Sequence, residues 1–196
     1  MRKILFYSLV LAVSMLGSAR AQMYTIDPVH SDISIKVRHM VVSKVSGRFN
    51  QFSGTFSYDE SSPKNWETEA EIQAGSINTF NQDRDKHLCG ADFLDVEHFP
   101  TLSFKSSKVS AVKDGKAQLT GTLTLHGITK EVTLNLEIGG TIKDPMGNLR
   151  AGFEATTQIS RKDFGLTYNK ILETGGVAVG DTVEISIRIE GIAKKT

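Results

Sequence analysis

Cysteine is nearly absent from these 196 residues: Cys89 stands alone, so no internal disulfide can form and the fold must rest on burial. An excess of one charge is also missing. Lys and Arg total 23 against 22 Asp and Glu, a balance that gives no steering towards nucleic acid. No serine sits in a Gly-x-Ser-x-Gly elbow, and Asp163-Phe164-Gly165 matches a kinase tripeptide without the glycine-rich and catalytic loops that must accompany it. Metal-ligand spacing is lacking too. His30, His39, His87, His98 and His126 contain no HExxH pair, and a lone cysteine cannot form a Cys-x-x-Cys clamp. Asn81, Asp83, Asp85 and Asp92 resemble a calcium loop in spacing, but Lys86 stands where that loop needs glycine and Asp92 replaces its bidentate glutamate. The histidines are expected to tie turns or hydrogen-bond at a pocket mouth. Cys89 lies among Arg84, Lys86 and His87, cations that can lower a thiol pKa, yet its simpler reading is a small apolar residue on a helix face. We expect no catalytic residue, no metal and no cofactor.

Long apolar runs are confined to the N-terminus. Arg2 and Lys3 precede Ile4 to Leu16, and Ala19-Arg20-Ala21 follows as a small-x-small cleavage site, the order of a secretory signal peptide. The run is short for a membrane span, and no later segment could make one. Residues 1–21 are therefore expected to be removed, leaving Gln22 as the first residue of a periplasmic or secreted protein. Cleavage takes away three basic residues and no acid, so the formal charge becomes −2. Residues 22–196 form one domain of ordinary size, with no internal linker.

Within that domain the dominant pattern is alternation. Trp66, Thr68, Ala70, Ile72 and Ala74 face one way and Glu67, Glu69, Glu71 and Gln73 the other, as side chains on a strand must. Ile33, Ile35 and Val37 repeat the pattern, as do Val132 to Ile138, Leu149 to Ile159 and Val183 to Ile189. With Val45 to Tyr58, Thr101 to Val112 and Ala117 to Leu125 the count reaches eight strands. The apolar phase slips between Phe49 and Phe52, which predicts a bulge or bend. Asp114-Gly115, Gly139-Gly140, Asp144-Pro145 with Gly147-Asn148, and Gly180-Asp181 supply turns where strands must reverse. The expected fold is all-β, an eight-stranded antiparallel barrel or a two-sheet sandwich. Only Asn81 to Glu97 breaks the alternation, and it predicts a long loop with a short helix that turns Leu88, Phe93 and Leu94 inward as a cap.

These residues carry a resemblance. His30-Ser31 with Ile33, Ile35, Val37 and His39 is similar to the opening motif of the YceI family, and Gly47-Arg48-Phe49 with Gly54 to its second strand. The similarity continues in order through Arg84 to Leu88, Asp92-Phe93, Phe99-Pro100, Phe104-Lys105-Ser106, Gly121 to Gly127 and Arg161 to Gly165. One departure is Tyr24, where family members often carry tryptophan; a tyrosine can fill a similar plug position. The resemblance implies a lipocalin-like barrel, an exported location, and a polyisoprenoid or other long-chain lipid in the interior.

Periodicity alone leaves a packed and a hollow barrel both open. If the barrel is hollow, the expected ligand wall comprises Ile35, Val37, His39, Phe49, Phe52, Phe104, Leu123, Leu134, Phe153, Phe164 and Ile185, with Leu88, Phe93 and Leu94 on the lid. Arg84 and Lys86 are placed at the mouth, where a phosphate headgroup could meet them, although Asp83 and Asp85 could neutralise both. Non-enzymatic lipid transport, storage or sequestration is the function expected. The alternatives are an enzyme or stress-response protein acting on a quinone or fatty amide on the same barrel, and a packed partner-binding module. A homodimer is left open.

Overall fold

The computed structural model describes residues 21–172 and 176–194, so the expected leader lies outside the described residues. In chain order it contains β1 (Gln22–Ile26), β2 (Asp32–His39), β3 (Ser43–Phe49), β4 (Phe52–Tyr58), β5 (Thr68–Gln73), β6 (Ile77–Asn78), α1 (Gln82–Cys89), β7 (Thr101–Lys113), β8 (Lys116–Leu125), β9 (Ile128–Lys143), β10 (Leu149–Ser160) and β11 (Val179–Ala193). All pairings are antiparallel. They run β1-β4-β5-β7-β8-β9-β10-β11, and β11 returns to β1, which closes an eight-stranded barrel. No described helix is long and apolar enough to cross a membrane.

Three of the eight ring positions are broken strands. Along β11, Val183 to Arg188 pair with β2, while Gly191 to Ala193 pair with β1, so β1 and β2 lie end to end beside one long neighbour. The adjoining position is β3 followed by β4, broken at Asn50 and Gln51, where the apolar phase slips. A third, β5 then β6, breaks over Ala74–Ser76. Sequence alternation identifies the eight positions but misses β1, a five-residue strand directly after the expected cleavage point.

One end of the barrel is plugged by aromatic rings. Tyr24 is almost fully buried and stacks on Phe56 with centroids 5.1 Å apart, while Phe153 meets Phe56, Tyr58 and Trp66 edge-on at 5.4, 5.1 and 6.1 Å. Tyr24 thus fills the plug position. The plug requires a bare backbone behind it: a Cβ at Gly191 would stand 2.5 Å from the Phe56 ring. Burial pushes the Tyr24 phenol pKa up, so the ring stays neutral in the plug.

Beside the plug an ion network joins three distant segments. The Arg150 guanidinium reaches Asp144 at 2.8 Å, Asp27 at 2.9 Å and Glu190 at 2.5 Å, and His30 adds a 2.9 Å contact to Asp27. Sequence spacing does not reveal this cluster. Asp27, His30 and Glu190 converge as metal ligands might, but Arg150 already supplies the cation at their focus. Hydrogen bonds from His30 and Arg150 hold the Asp27 carboxyl at a pKa of about 2, and those from Arg150 and Asn148 hold Asp144 at about 2 as well. Folded values below the ordinary 3.8 mean that this stabilisation is complete above that pH and is lost as pH falls towards 2. Arg150→Met is expected to lower the melting temperature at neutral pH more than breaking the exposed Lys105–Glu69 pair does. It should also flatten the acid limb of stability against pH; thermal melts from pH 2 to 7 check both.

Candidate functional site

The inward faces of the strands do not meet. They enclose a cavity of about 570 Å³, within the size range of small-molecule sites. Ile35, Val37, Phe104, Phe153, Ile185 and Ile187 all point inward yet keep partial accessibility, because their inner faces border an open space. This decides between the packed and hollow readings in favour of the hollow one. The floor is Phe56, Trp66 and Phe153; the wall is mainly Ile, Leu and Val.

Of the wall residues expected from sequence, Ile35, Val37, His39, Phe49, Phe104, Leu123, Leu134, Phe153 and Ile185 border the cavity, as do Leu88, Phe93 and Leu94 from the lid. Phe52 does not. It follows the break after β3, and its ring fills the wall between the two apolar clusters of the barrel. Phe164 is also off the wall: it lies in the 3-10 turn Arg161–Phe164, is 1% exposed, and packs into the core. Lys86 points away from the mouth into solvent, since residues two apart on a helix face nearly opposite ways.

The lid is α1 and the loop behind it. Asn81 caps α1 by accepting a hydrogen bond from the Arg84 amide at 3.0 Å. Asp85 accepts from the Thr79 amide at 2.8 Å and hydroxyl at 2.5 Å, while Arg84 donates to the Thr79 hydroxyl and carbonyl at 2.7 and 2.8 Å. Neither Asp83 nor Asp85 pairs directly with Arg84 or Lys86 among the described residues, but Asp85 is linked to Arg84 through the shared Thr79 hydroxyl. Burial and the Asp85 charge push the Cys89 thiol pKa up, the direction opposite to that of an activated thiol.

An aromatic latch fastens this lid. His87 meets Phe93 and Tyr168 edge-on at 5.0 and 5.1 Å, Phe93 and Tyr168 are 5.0 Å apart, and Asp92 holds the His87 ring at 2.9 Å. His98 ties a turn in the same manner through Asp95. Tyr168→Ala removes two ring contacts worth about 0.5–1.5 kcal/mol each. It should speed release of an apolar ligand roughly tenfold, as stopped-flow dissociation of a fluorescent prenyl probe would record.

Arg161 is the residue that sequence reading misses. Present in the sequence only as part of a family-similar block, it is 3% exposed and lines the mouth. Its Nε donates to the Gly180 carbonyl at 2.9 Å, its Nη1 to those of Leu166 at 2.5 Å and Tyr168 at 2.9 Å, and its Nη2 meets Asp181 at 3.2 Å. Burial pulls its pKa down and Asp181 offsets this, so the guanidinium clamps two mouth segments together. Arg38, Arg84 and Lys170 complete a basic mouth, and among the described residues no Asp or Glu borders the cavity.

An antiparallel barrel with an apolar interior, an aromatic floor and a basic mouth has the architecture of a β-barrel binding protein. The chain belongs to the YceI family: the YceI-like domain matches residues 24–191. A UPF0312 protein of Pseudomonas putida is 37% identical over 199 residues, covering all of both chains. Among solved structures, Burkholderia cenocepacia BcnA superposes with a TM-score of 0.75 at 21% identity, covering 84% of this chain and 98% of its own. A polyisoprenoid binding domain from Saccharophagus degradans, implicated in plant cell wall breakdown, gives 0.65 at 16% identity, over 87% and 98%.

Proposed function

We propose that this protein binds a polyisoprenoid or similar long apolar lipid in the barrel and carries, stores or sequesters it outside the cytoplasm. The observation that carries the reading is the hollow apolar interior, whose described wall residues include no carboxylate. Each methylene-sized group moved into it gains about 0.8 kcal/mol, so a long chain needs no specific polar contact. The description of the Saccharophagus degradans neighbour supports the ligand class. The apolar run before Gln22, read as a cleaved leader, supports the location.

The wall favours binding over turnover. Its Ser57 hydroxyl is committed to the Asn65 carbonyl and the Glu67 amide, and no hydroxyl or thiol bonds to the His39 or His87 ring among the described residues. Mass spectrometry of organic extracts from the purified protein tests the proposal. A co-purifying long-chain lipid, recovered unchanged after incubation, is expected; no lipid, or a lipid converted by the protein, overturns it.

An anionic headgroup would sit between Arg84 and Lys170 at the mouth. The double variant Arg84→Gln/Lys170→Gln should weaken binding of a prenyl diphosphate about tenfold and reduce its salt dependence, leaving a prenyl alcohol unaffected. Calorimetric titrations at two salt concentrations measure this.

A further inference from the structure

Around the mouth, apolar side chains point outward as well as inward. On the β2–β3 turn Met40, Val41 and Val42 are 46, 58 and 87% exposed, and beside them Ile171 and Val177 are 88 and 41% exposed. The two segments are locked together: the Met40 amide donates to the Ala178 carbonyl at 2.9 Å, the Ala178 amide to Lys170 at 2.9 Å, and Ile171 bridges Val177. Met40 also lines the cavity, so apolar surface runs unbroken from the outside of the rim to the interior.

Stability does not account for this rim. Met40 and Val41 hold φ of 48° and 66°, the left-handed region that a β-branched residue disfavours, and the effect is to turn valines into solvent. Among the described rim residues 38–44, 168–172 and 176–180 the charged side chains are Arg38, Lys44 and Lys170, of which Lys44 is paired with Glu184 at 2.5 Å. Arg38 donates to the Val41 carbonyl at 2.9 Å, which sets a cation directly behind the exposed valines.

We propose that this rim docks on the surface of an anionic lipid bilayer, its apolar residues entering the headgroup boundary while Arg38 and Lys170 meet lipid phosphates. An apolar chain then passes between membrane and cavity without crossing water. The proposal rests on the lipid-binding reading above for its purpose, but its physical basis is separate.

Flotation with vesicles of phosphatidylglycerol and phosphatidylethanolamine tests it, using the wild type, Val42→Asp/Ile171→Asp, and Val29→Asp as a control. Val29 is 82% exposed on the β1–β2 loop beside the Arg150 network, away from the mouth. The wild type and the control should float, and the double variant should bind at least about tenfold more weakly. All three should bind a short-chain, water-soluble prenyl probe equally. Flotation that separates the proteins while none binds the probe leaves the rim standing and removes the cavity reading. Three results overturn the rim: equal flotation of wild type and double variant, equal loss in the control, or a wild type that binds the probe but no vesicles. A wild-type dimer in sedimentation that the double variant abolishes, with no vesicle binding, assigns the rim to a second copy of the chain instead.

Discussion

Phe153→Asp is expected to abolish ligand retention and leave little folded protein. The ring touches three aromatic neighbours of the plug and borders the cavity, and a carboxylate there has no described cation to pair with. Phe153→Ala isolates the packing contribution. Loss of a core phenylalanine costs about 3–5 kcal/mol, and the low end applies because one face of this ring already meets open space. For a domain of this size that corresponds to a melting temperature lower by about 6–12 °C. Phe153→Leu keeps the floor apolar and deepens the cavity, so it should fold, bind, and shift selectivity towards longer chains. Unchanged selectivity in the leucine variant would place the ring in a packed core and not on a binding floor.

Arg161→Met carries the second large effect. The carbonyls of Leu166, Tyr168 and Gly180 lose the Arg161 donor at once, Val179 keeps only its Asn169 donor, and Asp181 keeps only its 2.8 Å contact to Lys162. Removing the cation from such a buried cluster costs about 3–5 kcal/mol. Lysine should recover only a small part, since one ammonium cannot reproduce the fork that reaches several carbonyls. Because Tyr168 belongs to both the clamp and the latch, ligand release should quicken as well. Hydrogen exchange supplies the readout: amides of residues 166–170 and 178–181 should lose protection while those of β8 and β9 keep theirs. Uniform loss across the barrel would assign Arg161 to global stability alone.

Legibility from sequence followed the range of the forces involved. Alternation is local, so the strands from β7 to β11 read directly, and even the break at Asn50 and Gln51 appears as a phase slip between Phe49 and Phe52. The lid was readable as the place where alternation stops. Parity along a strand could not show whether an inward ring meets space or another side chain, which is why Phe52 was assigned to the wall it merely fills. Phe164 was misplaced for a related reason: a 3-10 turn has no two-residue period to extrapolate. Arg150 escaped because Asp27 and Glu190 come from segments that the closed fold brings together, and Arg161 because its partners are mainly backbone carbonyls, which no side-chain pattern announces. A lone arginine at a strand end looks the same whether it is solvated or clamped.

The chain's single tryptophan offers the most direct test of the central claim, since Trp66 lies on the cavity floor. Delipidated protein is titrated with a prenyl or acyl lipid brominated far along its chain, and Trp66 emission is followed. An apolar tail seated in the barrel predicts saturable quenching that unbrominated lipid competes away, with a headgroup-brominated analogue quenching far less. Absence of quenching, or quenching no greater than that from dissolved bromide, would contradict a lipid held inside this barrel.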